Sequence, residues 1–143
     1  MRNTIKSSFV KALFAAISIC SSFSVKADLD ADYGHGAARY LGYCYALNFV
    51  ATKRCPNLYS DDPAVCIARI VELLPRNKRS QLITALGAST NDAIDTGVAL
   101  GAAVHGKMMK SDRPNACSAS GKFLSQALSA ELNTLLRLAS RYR

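Results

Sequence analysis

The chain has 143 residues, half of them hydrophobic, with 18 lysines and arginines against 10 aspartates and glutamates, five cysteines and two histidines. That length suits one compact domain. A formal charge of +8 invites a nucleic-acid reading, but the basic residues form no dense stripe and no familiar binding module, which argues against such a partner.

Arg2, Lys6 and Lys11 accompany an almost wholly apolar run from Ala12 to Cys20, and Val25-Lys26-Ala27 offers the small residues a signal peptidase accepts. Residues 1–27 therefore read as a signal peptide and residues 28–143 as one helical domain. A membrane span needs about 20 apolar residues, and Ser21, Ser22 and Ser24 interrupt a shorter run here, so no stable membrane insertion is expected. Lipidation at Cys20 is the competing expectation, opposed by the bulky Ile19 before it. Cleavage after Ala27 removes four basic residues and no acidic ones, which halves the charge to +4. It also removes Cys20 and leaves Cys44, Cys55, Cys66 and Cys117, an even set suited to disulfides in the periplasm or outside the cell. No C-x-x-C pair suggests zinc or thioredoxin-like redox chemistry, so no metal and no cofactor is expected.

Helical periodicity organises the rest. Ala37, Tyr40, Leu41, Cys44, Leu47 and Ala51 mark one face of a first helix over 36–53. Pro56, Asn57 and Ser60 then favour turns, and Asp62-Pro63 supplies an N-cap and a first-turn proline for a second helix over 63–74. Arg76 to Arg79 reads as a basic bend, followed by a short helix over 80–86 that Gly87 closes. Ser89 or Thr90 then caps a helix over 91–109 whose stripe of Ala93, Gly97 and Gly101 predicts a close helix crossing within the chain, with a subunit interface as the alternative. Gly106 to Ala116 reads as an exposed connection, and Leu124, Leu128, Leu132, Leu135 and Ala139 mark a last helix over 118–140. The fold class is all-α, a single-domain bundle of four or five helices stapled by two disulfides.

Two pairings of the cysteines compete. Cys55 and Cys66 flank a short loop and would close it with little strain, leaving Cys44 and Cys117 to join the first helix to the last. The alternative pairs Cys44 with Cys66 across the helical hairpin. Catalytic chemistry finds little support, because His35 and His105 stand seventy residues apart and neither belongs to a metalloprotease helix. His35 reads as part of a solvated turn and His105 as a partly buried helix residue. A free Cys44 or Cys117 beside a histidine is the strongest enzymatic alternative, and disulfide formation would abolish it. Asp28, Asp30 and Asp32 lack the glycine and terminal glutamate of a calcium loop.

Recognition surfaces remain. Tyr40, Tyr43, Tyr45, Phe49 and Tyr59 cannot share one buried face, so some tyrosines should be exposed, and Tyr43 and Tyr45 are the candidates for partner contact. Lys107, Met108, Met109, Lys110 and Arg113 form a second candidate, a basic connection with an apolar tip.

The segments Tyr-Leu-Gly-Tyr-Cys-Tyr-Ala at 40–46, Asn-Ala-Cys at 115–117 and Glu-Leu-Asn-Thr-Leu-Leu-Arg-Leu-Ala-Ser-Arg-Tyr at 131–142 resemble the amidase-immunity family of type VI secretion, over about a third of the mature chain. The resemblance implies a periplasmic helical protein, often dimeric, that binds and blocks a peptidoglycan-cleaving amidase, with a Cys44 to Cys117 bridge. Departures are the extra pair Cys55 and Cys66 and a longer interval between Cys117 and Glu131. The functional expectation is an exported, non-catalytic immunity protein acting by steric blockade. A periplasmic structural or stress-protective module is the alternative.

Overall fold

A computed structural model describes residues 31–142; the expected signal peptide, its cleavage point and Cys20 lie outside them. Four helices follow in chain order: α1 (Ala31–Lys53), α2 (Pro63–Glu72), α3 (Arg76–Ser111) and α4 (Ala116–Ala139). Short 3-10 turns occupy Arg113–Asn115 and Ser140–Tyr142, and the described residues contain no strand. The all-α bundle with two disulfides is as expected from the sequence. None of the described helices is long and apolar enough to cross a membrane.

The first helix is the axis of the bundle. Five successive residues, Tyr40 to Cys44, are buried, and five positions exceed one helical turn. α1 is therefore covered around its circumference by α2, α3 and α4. Tyr33, Tyr40 and Leu41 are completely enclosed along it, as are Leu82 and Leu100 of α3 and Leu124 and Leu135 of α4. Each such aliphatic side chain contributes about 1.5 to 3 kcal/mol by leaving water. The Tyr33 hydroxyl donates to the Ile70 carbonyl over 2.6 Å, so its burial leaves no polar atom unsatisfied.

α2 begins as its sequence predicts. Asp62 accepts a hydrogen bond from the Ala64 N–H at 2.8 Å, and Pro63 fills the first turn where its missing N–H costs nothing. Its chain turns at Leu73 to Pro75, where Arg79 Nε donates to the Leu74 carbonyl at 2.9 Å. The expected basic bend is thus the first turn of α3.

α3 corrects the expectation of two helices broken at Gly87. It runs for 36 residues without interruption. Leu82, Leu86, Ser89 and Ala93 keep one face buried across the glycine, so packing overrides its permissiveness. Ser89 and Thr90 do not cap a new helix: their hydroxyls donate back to Ala85 O and Leu86 O at 3.2 and 2.7 Å. The helix also extends through the expected connection to Ser111.

The small-residue stripe lies where α3 crosses α1, as the internal-packing expectation had it. A Cβ on Gly97 would stand 2.8 Å from the Gly42 carbonyl oxygen, and one on Gly101 would stand 2.7 Å from that of Ala46. Both neighbours are backbone and cannot rotate away. Close approach of two helices explains why these glycines occupy a helix interior despite a cost of about 1 kcal/mol each.

The core divides into two clusters along the bundle. One joins Tyr33, Tyr40, Cys44, Cys66, Ile70 and Leu135; the other joins Tyr43, Leu47, Val50, Cys55, Leu100 and Leu124. Each contains one disulfide, Cys44–Cys66 or Cys55–Cys117. The first-choice pairing of Cys55 with Cys66 is therefore incorrect, as is the Cys44 to Cys117 bridge implied by the family resemblance, and the hairpin alternative is the one found. Cys66 and Ile70, four apart, are the buried residues of α2 and face α1. This carries Cys66 away from the loop and onto Cys44.

Candidate functional site

Two places bring functional groups together, one beside each disulfide. The first is a cleft of about 210 Å³ between α1, the loop before α2, α2 and α4. Cys44 and Cys66 contribute to its lining, Leu47, Leu128 and Leu132 form an apolar wall, and Tyr59, Asp61 and Arg69 form a polar one.

The polar wall is a chain of hydrogen bonds. Arg69 Nη1 donates to the Tyr40 hydroxyl at 2.8 Å and reaches Asp61 Oδ2 at 3.2 Å, where Nη2 also donates. Tyr59 donates its O–H to the other carboxylate oxygen, Oδ1, at 2.8 Å. That bond, more than the Arg69 contacts, holds the Asp61 carboxyl below its ordinary range, against a smaller opposing effect of burial. Asp61 in turn raises the Tyr59 pKa. Tyr59 itself is 81 % exposed, so its ring stands at the rim with its hydroxyl tethered.

Tyr59 is thus the exposed tyrosine that the sequence required. The reading of Tyr43 as a surface group is corrected: it is 9 % exposed within the second core cluster. Burial first, and then the negative charge of Glu131, push its pKa up to about 12 against a lowering by Arg39. Tyr45 is partly buried. The sequence hides the role of Tyr59 because the Asp61–Arg69 pair that fixes it joins a loop to a helix.

Lys107, Met108, Met109 and Lys110 lie in the last turns of α3, not in an exposed loop, and Arg113 begins the 3-10 turn beyond. Met108 packs against the second core cluster, which removes it from the proposed flexible tip. Lys110 and Arg113 are exposed, while Lys107 and Met109 are partly covered.

At the second place, Cys55 follows the end of α1, His105 projects from α3 and Cys117 stands in the first turn of α4. Backbone bonds from the N–H groups of Arg54 and Cys55 to the Val50 carbonyl, at 3.0 and 2.7 Å, terminate α1 and fix Cys55. Its Sγ lies 3.8 Å from His105 Nδ1, and the ligand atoms of Cys55, His105 and Cys117 all fall within 4.8 Å of one another. Burial, followed by the positive charge of Arg54, lowers the His105 pKa from its ordinary value. With both bridges closed, neither Cys44 nor Cys117 presents a thiolate. His35, expected in a turn, is a partly buried residue of α1.

Comparison of the chain with protein-family models, with curated proteins and with solved structures finds no match.

Proposed function

We propose that this chain is an exported periplasmic binding protein that neutralises a type VI secretion peptidoglycan amidase by covering its active site. Two disulfides fit an oxidising compartment and give a stapled scaffold that loses little freedom on binding. The observation carrying the reading is Tyr59, an 81 % exposed aromatic side chain held at a cleft rim by Asp61 and, through it, by Arg69. A large apolar ring fixed in advance beside a concave surface has the character of an interface anchor.

The ring of Tyr59 then inserts into the mouth of the amidase, and the adjacent cleft accepts a side chain from the enzyme's rim. Exposed Lys110 and Arg113 speed encounter with an acidic partner and contribute less once the complex has formed. Of the surfaces expected from the sequence, the basic end of α3 keeps a steering role and Tyr43 none.

The test is inhibition of purified type VI secretion peptidoglycan amidases, followed by release of muropeptide from purified sacculi. The intact chain inhibits at stoichiometric concentration, and Y59A weakens binding by at least about 30-fold, equivalent to the 2 kcal/mol of an interface anchor. K110E/R113E slows association and steepens no other step. An amidase that stays fully active with excess chain, or that is inhibited equally by Y59A, contradicts the proposal.

A further inference from the structure

Two cysteines and an imidazole, from the loop after α1, from α4 and from α3, converge at Cys55, Cys117 and His105. The linear sequence conceals them, since 50 residues separate Cys55 from His105 and 62 separate Cys55 from Cys117. We propose that, when the Cys55–Cys117 bridge is open, these three residues form a binding site for Zn²⁺.

Geometry supports a site that needs only side-chain rotation. The two Cα atoms are 5.7 Å apart. Zinc–thiolate bonds of about 2.3 Å set two sulfurs about 3.8 Å apart around a tetrahedral ion, so the sulfurs joined in the bridge need only swing apart by about 1.7 Å once it opens. His105 already turns Nδ1 toward Cys55 Sγ. The backbone of all three residues is fixed by helix or helix-terminal hydrogen bonds, so rotation about the cysteine side chains suffices.

Charge selects the ion. Two thiolates and a neutral imidazole carry two negative charges, which a divalent cation cancels and a monovalent one does not. Cys55 and His105 are 2 % and 7 % exposed, and a neutral assembly is far cheaper to enclose than a charged one. Sulfur and imidazole ligands also favour zinc over magnesium or calcium, which take oxygen. Three protein ligands leave the fourth position to water or to a partner's side chain.

The chemistry balances in two steps. A phosphine with one water, or a dithiol, supplies the two electrons and two protons that convert the S–S bond to two thiols; the phosphine takes the water's oxygen to become its oxide, or the dithiol closes to a cyclic disulfide. Zn²⁺ then binds, releasing those two protons as both thiols become thiolate ligands. Cys117 is partly exposed and gives the reductant a sulfur to reach, while Cys44 and Cys66 are 2 % and 1 % exposed.

The test uses the full chain carrying C20S, reduced with a phosphine and titrated anaerobically with Co²⁺, whose thiolate charge-transfer and tetrahedral visible bands report the ligands of a zinc site. One equivalent binds with both bands and is displaced by Zn²⁺. H105Q weakens Co²⁺ binding at least about tenfold, a loss that even an outer-shell partner of a metal can produce, and C117S leaves at most half of the two-thiolate charge-transfer intensity. C44S/C66S, with helicity checked by circular dichroism, retains the wild-type spectrum. Absence of the bands, equal affinity in H105Q, or loss of the site in C44S/C66S while that variant remains helical overturns the proposal. So does a reduced chain that unfolds and holds Co²⁺ without the tetrahedral bands.

Discussion

The two core clusters carry the same covalent device in different surroundings. Cys44–Cys66 joins the axial helix α1 to α2, with both cysteines enclosed and with the Tyr59–Asp61–Arg69 chain beside them. Cys55–Cys117 joins the end of α1 to the start of α4, with His105 within 3.8 Å and Cys117 partly exposed. One bridge lines a cleft; the other lies beside an imidazole. Burial and neighbours, not the bond itself, separate a structural disulfide from a chemically addressable one.

Deleting each bridge is the strongest way to sharpen that contrast. The sequence separations are 22 and 62 residues. The chain-entropy model assigns about 3 kcal/mol to the shorter loop and about 4 to the longer. Urea unfolding should therefore show C55A/C117A as the less stable variant, by about 1 kcal/mol on that model. The bridge that is easier to reach is also the one that restrains more chain. Equal midpoints would show that local packing outweighs loop length.

The glycine crossing offers the next largest effect. G97A and G101A each place a methyl against backbone carbonyls of α1 and should destabilise by about 1 to 3 kcal/mol, despite alanine's better helix propensity. G87A and G106A meet no atom within 4 Å and should stabilise by up to about 1 kcal/mol. Thermal unfolding of the four variants separates the two groups by sign. A uniform gain would contradict the close crossing of α1 and α3.

Acid should act on the two regions at different pH. The His105 pKa is lowered in the folded chain, so the unfolded chain takes up the proton first; that stability is present above pH 6.5 and is lost as pH falls below it. The Asp61 pKa is lowered too, and its contribution persists until pH falls below about 3.8. H105Q should flatten the upper part of the stability profile and D61N the lower. Urea midpoints across the range check both, and an H105Q profile that keeps the upper slope would refute the assignment.

The contrast also explains what the sequence revealed. α2 was legible because Asp62, Pro63 and Pro75 punctuate it and a single face is buried. α4 was legible for the same reason of one-sided burial, and the role of Gly97 and Gly101 followed from their four-residue spacing. Tyr43 was misread because one-face periodicity fails on a helix enclosed all round, as α1 is. Gly87 was read as a stop because its buried neighbours Leu86 and Ser89 continue the face only when α1 is present to cover it. The disulfide pairing depended on which way Cys66 faces, a tertiary matter that loop length does not encode. The Cys55–His105–Cys117 cluster was invisible because its members come from a loop and two helices.

Graded reduction of the folded full chain, with quenched alkylation and mass-spectrometric mapping, tests the difference between the two bridges most directly. Cys55 and Cys66 share a tryptic peptide, so a second cleavage at Asp61-Asp62 is needed to separate them. Cys44–Cys66 and Cys55–Cys117 linked peptides are expected before reduction, with Cys55 and Cys117 alkylated first as reductant is added. A Cys44–Cys117 link, or earlier alkylation of Cys44 and Cys66, would contradict it.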